Sequence, residues 1–156
     1  MIKYLKYDVL ISEIPDELSL GFYITGCPVH CPDCHSKELW KDIGNELKFK
    51  RYDAIIQSQL NCCTCILFFG GEWEENSLLN LLLFSKNRYP AIKLGLYSGQ
   101  ELSYFNNSLL LKYLSYLKVG PFKKEYGPLN KKTTNQRFYS LSHGKIKEDL
   151  TYTFWR

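Results

Sequence analysis

The chain has 156 residues, 45% apolar and 15% aromatic, with a net charge of +4 from interspersed acids and bases. That apolar content excludes intrinsic disorder, and a charge balance with no dominant basic block leaves room for acidic partners without indicating direct contact with nucleic acid. No stretch approaches the roughly eighteen apolar residues of a membrane span and the first residues carry no apolar signal segment. A cytoplasmic protein without membrane association is therefore expected, and in that compartment its six cysteines read as metal ligands or catalysts rather than disulfides.

In chain order, residues 1–18 mix charged and apolar residues, and Ile14-Pro15-Asp16-Glu17 marks a turn. Residues 20–25 form a near-continuous apolar run, as expected for a strand covered on both faces. A cysteine-rich loop follows, then a short helix from residue 35 to 40 that closes near Gly44. Residues 51–60 carry Tyr52, Ile55, Ile56 and Leu60 at helical spacing. A second buried strand is predicted at 65–69, a leucine-rich helix at 76–87 and a third strand at 92–97. Helical periodicity is expected over 109–116, then a short strand at 117–119. Strands alternating with helices predict βαβ units and a mainly parallel α/β sheet in a single domain spanning 1–156. Residues 120–156 read as a loop and hairpin tail, with 138–141 and 150–155 pairing across His143-Gly144.

The chemistry concentrates at predicted strand ends, where ligands collect in α/β sheets. After the first strand, Cys27, Cys31 and Cys34 follow a C-x3-C-x2-C spacing. Three thiolates on one loop can hold three corners of a metal site, whereas iron–sulfur clusters usually take four and structural zinc takes four closed ligands. The second strand ends in Gly70-Gly71-Glu72, where the glycines permit close approach of a ligand to the backbone and Glu72 suits an ammonium group. Tyr97-Ser98-Gly99 ends the third strand and Lys118 the fourth.

The cysteine spacing with Gly70-Gly71-Glu72 resembles the radical S-adenosylmethionine superfamily. Thr25-Gly26-Cys27, Tyr97-Ser98-Gly99, Val119-Gly120-Pro121-Phe122, Gly127-Pro128-Leu129 and Thr134-Asn135-Gln136-Arg137 together resemble the activating enzymes of anaerobic (class III) ribonucleotide reductase. The resemblance implies an incomplete, open TIM-like β/α barrel, since a complete one takes about 250 residues. It implies a 4Fe-4S cluster on Cys27, Cys31 and Cys34, with the fourth iron left for S-adenosyl-L-methionine. Cleavage of that cosubstrate would then place a glycyl radical on the reductase large subunit, with a flavodoxin or ferredoxin as electron donor. Gly70, Gly71 and Glu72 would meet the methionine moiety, Tyr97 and Ser98 the ribose or adenine, and Lys118 the carboxylate. An acid common two residues before that lysine is Tyr116 here. Asp33 stands where many members carry an aromatic against adenine, and His35 is the nearest substitute.

Other readings of the same residues stay open. A radical enzyme acting on a small molecule, as in deazapurine synthesis, shares the motif. Three cysteines with His30 or His35 make a Cys3His zinc set. Cys31 and Cys34 alone have thiol-redox spacing. Cys62, Cys63 and Cys65 read as free thiols, the Lys123-Lys124 and Lys131-Lys132 pairs as solvated surface, and Trp40, Trp73 and Trp155 as packing.

Overall fold

The four apolar runs pair side by side. In the computed structural model of the chain, residues 1–32, 34 and 36–155 are described. The strands are β1 (Lys3–Leu10), β2 (Ser19–Ile24), β3 (Asn45–Glu46), β4 (Cys65–Phe69), β5 (Lys93–Tyr97), β6 (Tyr116–Val119), β7 (Arg137–Ser142) and β8 (Lys145–Asp149). Helix α1 (Phe49–Gln59) precedes β4 and α2 (Glu75–Arg88) follows it. All eight strands join one open sheet in the order β3-β1-β2-β4-β5-β6-β7-β8. The centre, β2 to β6, is parallel, while β1 and β3 on one side and β7 and β8 on the other are antiparallel.

This corrects the expected architecture. A TIM-like barrel with a mainly parallel sheet needs a helix after each strand, but among the described residues α1 and α2 are the only α-helices. Four of the seven strand pairings are antiparallel. The expected helix over 109–116 is a 3-10 turn at Leu109–Tyr113, where the Ser108 side chain accepts from the Leu110 amide. So short a segment does not recover the cost of helix nucleation, and Ser115 N–H already donates to Leu94 O at 2.7 Å. The hairpin does turn at His143-Gly144, where both residues have positive φ (52° and 78°), as a two-residue turn requires. That turn pairs Ser142 with Lys145 at once, so the returning strand is β8 and not 150–155, which holds a 3-10 turn at Thr151–Phe154. The first strand was also unforeseen: β1 carries Leu5, Tyr7 and Val9 alternating with Lys6 and Asp8, a period-two pattern.

The strand side chains divide between two faces. Leu20, Phe22, Ile24, Ile66, Phe68, Leu94, Leu96, Leu117 and Val119 pack against Tyr52, Ile55 and Ile56 of α1 and Leu78, Leu81 and Leu82 of α2. Alternate residues, among them Cys65, Leu67 and Tyr97, meet Ile14, Leu129, Phe138 and Phe154 instead. The second face is thus covered by the turn after β1 and by the C-terminal tail. Both faces are buried along the central strands, which explains their unbroken apolar runs.

A polar pin holds the amino ends of the parallel strands. Glu17 is buried; its Oε1 accepts from the Thr64 hydroxyl at 2.7 Å, and its Oε2 from the Lys93 ammonium at 2.9 Å and the Tyr116 hydroxyl at 2.6 Å. Burial works against the carboxylate, but the hydrogen bonds from Tyr116, Lys93 and Thr64 outweigh it and hold the Glu17 pKa below its usual value. A depressed carboxylate pKa stabilises the fold above the unfolded-chain value and ceases to do so as pH falls through the folded one. Glu17→Gln should therefore lower stability in urea by about 2 kcal/mol at neutral pH, the scale of hydrogen bonds to a charged group. The difference should shrink on acidification through the carboxylate range.

Candidate functional site

The parallel register sets the floor of the site. Tyr23, Phe69, Tyr97 and Lys118 are consecutive cross-strand partners, and all four line one cavity of about 680 Å³ at the carboxyl ends of these strands. Tyr23 stacks on Phe69 with ring centroids 4.6 Å apart, Phe69 meets Tyr97 edge-on at 5.5 Å, and the Lys118 ammonium lies 4.9 Å from the Tyr97 ring centroid. The Tyr97 hydroxyl donates to Glu13 O at 2.5 Å, so this residue offers the cavity its ring. Lys118 is half-buried by area because it opens onto the cavity. Burial pulls its pKa below the usual ammonium value, while Glu13, Cys31 and Cys34 act in the opposite direction.

The cysteine loop forms the facing wall. Its two ends are zipped together: Gly26 N–H donates to Lys41 O, Cys27 N–H to Leu39 O at 2.9 Å, and the Thr25 hydroxyl to Ile43 O at 2.6 Å. Within it, Cys34 N–H donates to Cys31 O at 3.0 Å. Cys27, Cys31 and Cys34 all line the cavity. Two of their sulfurs accept backbone amides, Cys34 from Ser36 at 3.4 Å and Cys27 from Val29 and His30. Burial pushes the Cys27 thiol up, and those amides pull it down. His35 and Asp33 lie outside the described residues, so the expectation placed on them for adenine falls there too.

Gly70-Gly71-Glu72 turns the chain away from β4 and buries a carboxylate. Gly70 (φ 92°) and Gly71 (φ 107°) are in the left-handed region, which glycine adopts at little steric cost. A Cβ on Gly70 would also stand 2.7 Å from the Trp73 ring. Gly70 and Glu72 line the cavity, and Gly71 stands behind them against Ile2 and Ile24. Glu72 is fully buried. Its Oε1 accepts from the Ser98 hydroxyl at 2.6 Å, and Ser98 Oγ in turn accepts from Gln100 N–H at 3.0 Å. Among the described residues Glu72 Oε2 has no partner. Ser98 thus reaches the site as an orienting group for Glu72.

Several lining residues carried no sequence signal for this role. Trp40, Trp73, Gln136 and the tail residues Phe122, Leu129 and Phe154 all face the cavity. His30 stacks on Trp40 at 4.6 Å, and the buried Trp40 indole N–H has no partner among the described residues. Tail residues could be found only from the pairing of β7 with β6, which brings them over the open face. Cys65 and Cys63 are buried and Cys62 is exposed, and Cys65 opens β4 at its far end from the cavity.

The donor set fits an iron–sulfur cluster. Three cavity-facing thiols, two of them with amide N–H groups on sulfur, match the hydrogen-bonded thiolates that hold such clusters. Among the described residues no three His, Cys, Asp or Glu groups converge on a single-ion site. A cluster does not require this, because each thiolate binds a different iron. The Glu72 oxygen without a partner supplies an acceptor for a cationic ligand beside that wall.

Burial raises the Glu72 pKa despite the Ser98 hydrogen bond. The folded state therefore holds this proton to higher pH than the unfolded chain does. Burial of Glu72 costs nothing below its usual value of 4.5 and increasingly destabilises as pH rises through the elevated one. Without a bound ligand, Glu72→Gln should match the parent in melting temperature at acid pH and exceed it at neutral pH. A pH-independent difference would contradict the burial argument.

A family model described as a 4Fe-4S single cluster domain matches residues 18–141. The match runs from the start of β2 almost to the end of β7 and takes in the cysteine loop, Glu72, Ser98 and Lys118. Searches of characterised proteins and of solved structures found no match. With most of its length covered, this chain belongs to the 4Fe-4S single cluster domain family.

Proposed function

We propose that the protein is a radical S-adenosylmethionine enzyme of the activating type, which generates a glycyl radical on the large subunit of an anaerobic ribonucleotide reductase. The observation that carries this reading is the buried Glu72 oxygen without a partner, in the same cavity as Cys27, Cys31, Cys34 and Lys118. An acceptor and an ammonium lining one chamber are complementary to the amino and carboxylate groups of an amino-acid moiety.

Cys27, Cys31 and Cys34 would hold the 4Fe-4S cluster, which supplies a low-potential electron for cleavage of the sulfonium C–S bond, giving methionine and a hydrogen-abstracting deoxyadenosyl group. The chain's own residues have the remaining tasks. Glu72, oriented by Ser98, accepts from the N–H groups of the cosubstrate's amino group. Lys118 meets the carboxylate, and its partial desolvation strengthens that pairing. The Tyr23-Phe69-Tyr97 row offers ring faces and edges on the floor, and Trp73 with the tail residues excludes water from the chamber. A glycine of the reductase reaches the chamber from the side that the open sheet leaves without a helix layer. A flavodoxin or ferredoxin is the proposed electron donor.

The test is anaerobic. Protein reconstituted with iron and sulfide should produce 5′-deoxyadenosine from S-adenosylmethionine under reduction, and a glycyl doublet by electron paramagnetic resonance only when the reductase large subunit is added. Cys31→Ala should lose the cluster absorption and both products. Glu72→Gln should keep the cluster but weaken cosubstrate binding roughly tenfold to a hundredfold, the scale of a hydrogen bond to a charged group. Deoxyadenosine without a glycyl signal would point to a small-molecule substrate, and colourless protein containing zinc would overturn the radical reading.

A further inference from the structure

The loop between β6 and β7, beside the cavity, carries a local excess of positive charge. Between β6 and β7, Lys123, Lys124, Lys131 and Lys132 stand against Glu125, a net +3 in a chain whose total is +4. All four lysines are exposed, and among the described residues none forms an ion pair. The segment is folded back on itself. Gly127 N–H donates to Lys123 O at 2.9 Å, and the Thr133 hydroxyl donates to Tyr126 O at 2.6 Å. A Cβ on Gly127 would stand 3.0 Å from Lys131 Cγ. These contacts bring the two lysine pairs onto one small unit, though they are separated in sequence.

The same unit contributes to the cavity. Phe122, Pro128, Leu129 and Asn130 line it, and Pro128 and Asn130 are also exposed, so they lie at its rim. The unit is anchored from beneath: Asn135 Nδ2 donates to Pro121 O at 3.0 Å and Gln136 Nε2 to Gly120 O at 3.2 Å. Four lysines without an ion pair among the described residues, one of them (Lys123) with its ammonium 5.9 Å from the Tyr126 ring centroid, thus stand on a folded-back loop at the edge of the chamber. Glu125 offsets one of these charges, and an acidic partner would complement the net +3 that remains.

We propose that the 121–134 loop is a docking platform for an acidic protein segment that approaches the cavity rim. The charge would steer encounter and set orientation, with the apolar rim residues beside it. A nucleic acid fits less well, because phosphate-backbone affinity grows with the number of phosphates neutralised and these four lysines form a compact pair of pairs rather than a track. The inference rests on the proposed function only in taking the cavity as the place where a macromolecule is met.

The experiment measures binding of a fluorescein-labelled polyglutamate peptide to the reconstituted protein by fluorescence anisotropy over a salt series. A variant with Lys123, Lys124, Lys131 and Lys132 changed to Gln is compared with a charge-matched control in which Lys48, Lys50, Lys145 and Lys147 are changed to Gln. The loop variant should lose roughly tenfold or more in affinity, the sum of several exposed pairs, and the control only about twofold. Equal losses in the two variants, or no binding by the parent, would overturn the proposal, as would tighter loop-dependent binding of an oligothymidine of equal charge. Formation of 5′-deoxyadenosine without a partner reports separately on the cavity chemistry. It should be the same in the loop variant and the parent, so a failure of the docking proposal is distinguishable from a failure of the catalytic one.

Discussion

Tyr23, Phe69, Tyr97 and Lys118 come from four separate strands, yet they form one row across the sheet because β2, β4, β5 and β6 pair in parallel in a single register. The site depends on that register. A slip of one residue in any strand would exchange its two faces, sending Lys118 toward the helices and Leu117 or Val119 into the chamber. The Glu17 pin secures the amino ends of three of these strands, and the buried helix-side core secures their middles. The carboxyl ends are then free to carry loops chosen for chemistry rather than for folding.

The uneven covering of the sheet also has a chemical consequence. Two α-helices cover one face, and the opposite face receives the turn after β1 and the C-terminal tail. A full helical layer on the second face would fill the volume that the cavity occupies. Because the tail supplies part of the chamber wall, the same segment can shape the chamber and present charge at its rim. The edge strand β8 is exposed along its whole length and mainly charged, a composition that discourages pairing with another chain.

Much of the centre of the fold was legible in the sequence. The runs in β2, β4 and β5 are apolar enough to be read directly, and α1 and α2 show their helices through the spacing of buried residues. The cysteine spacing and Gly70-Gly71-Glu72 were legible as chemistry, and topology placed them on a common rim. What stayed hidden depends on pairing. β1, which lies between β2 and the two-residue edge strand β3, and the edge strand β8 both mix charged with apolar residues, and their antiparallel addition turns an expected barrel fragment into a mixed open sheet. The aromatic floor was invisible because no local pattern marks Tyr23 and Phe69 as neighbours. Likewise, the orienting role of Ser98 requires knowing that the loops after β4 and β5 meet.

The central proposal is that the three-cysteine loop holds a cluster with one iron available to the amino group of a cosubstrate, whose remaining N–H groups donate to Glu72. The most direct measurement is electron–nuclear double resonance on the anaerobically reduced, reconstituted protein with S-adenosylmethionine carrying 15N in its amino group. The account predicts a 15N coupling to the cluster spin in the parent protein. A reduced 4Fe-4S signal that saturating cosubstrate leaves unchanged, with no 15N coupling, would contradict it.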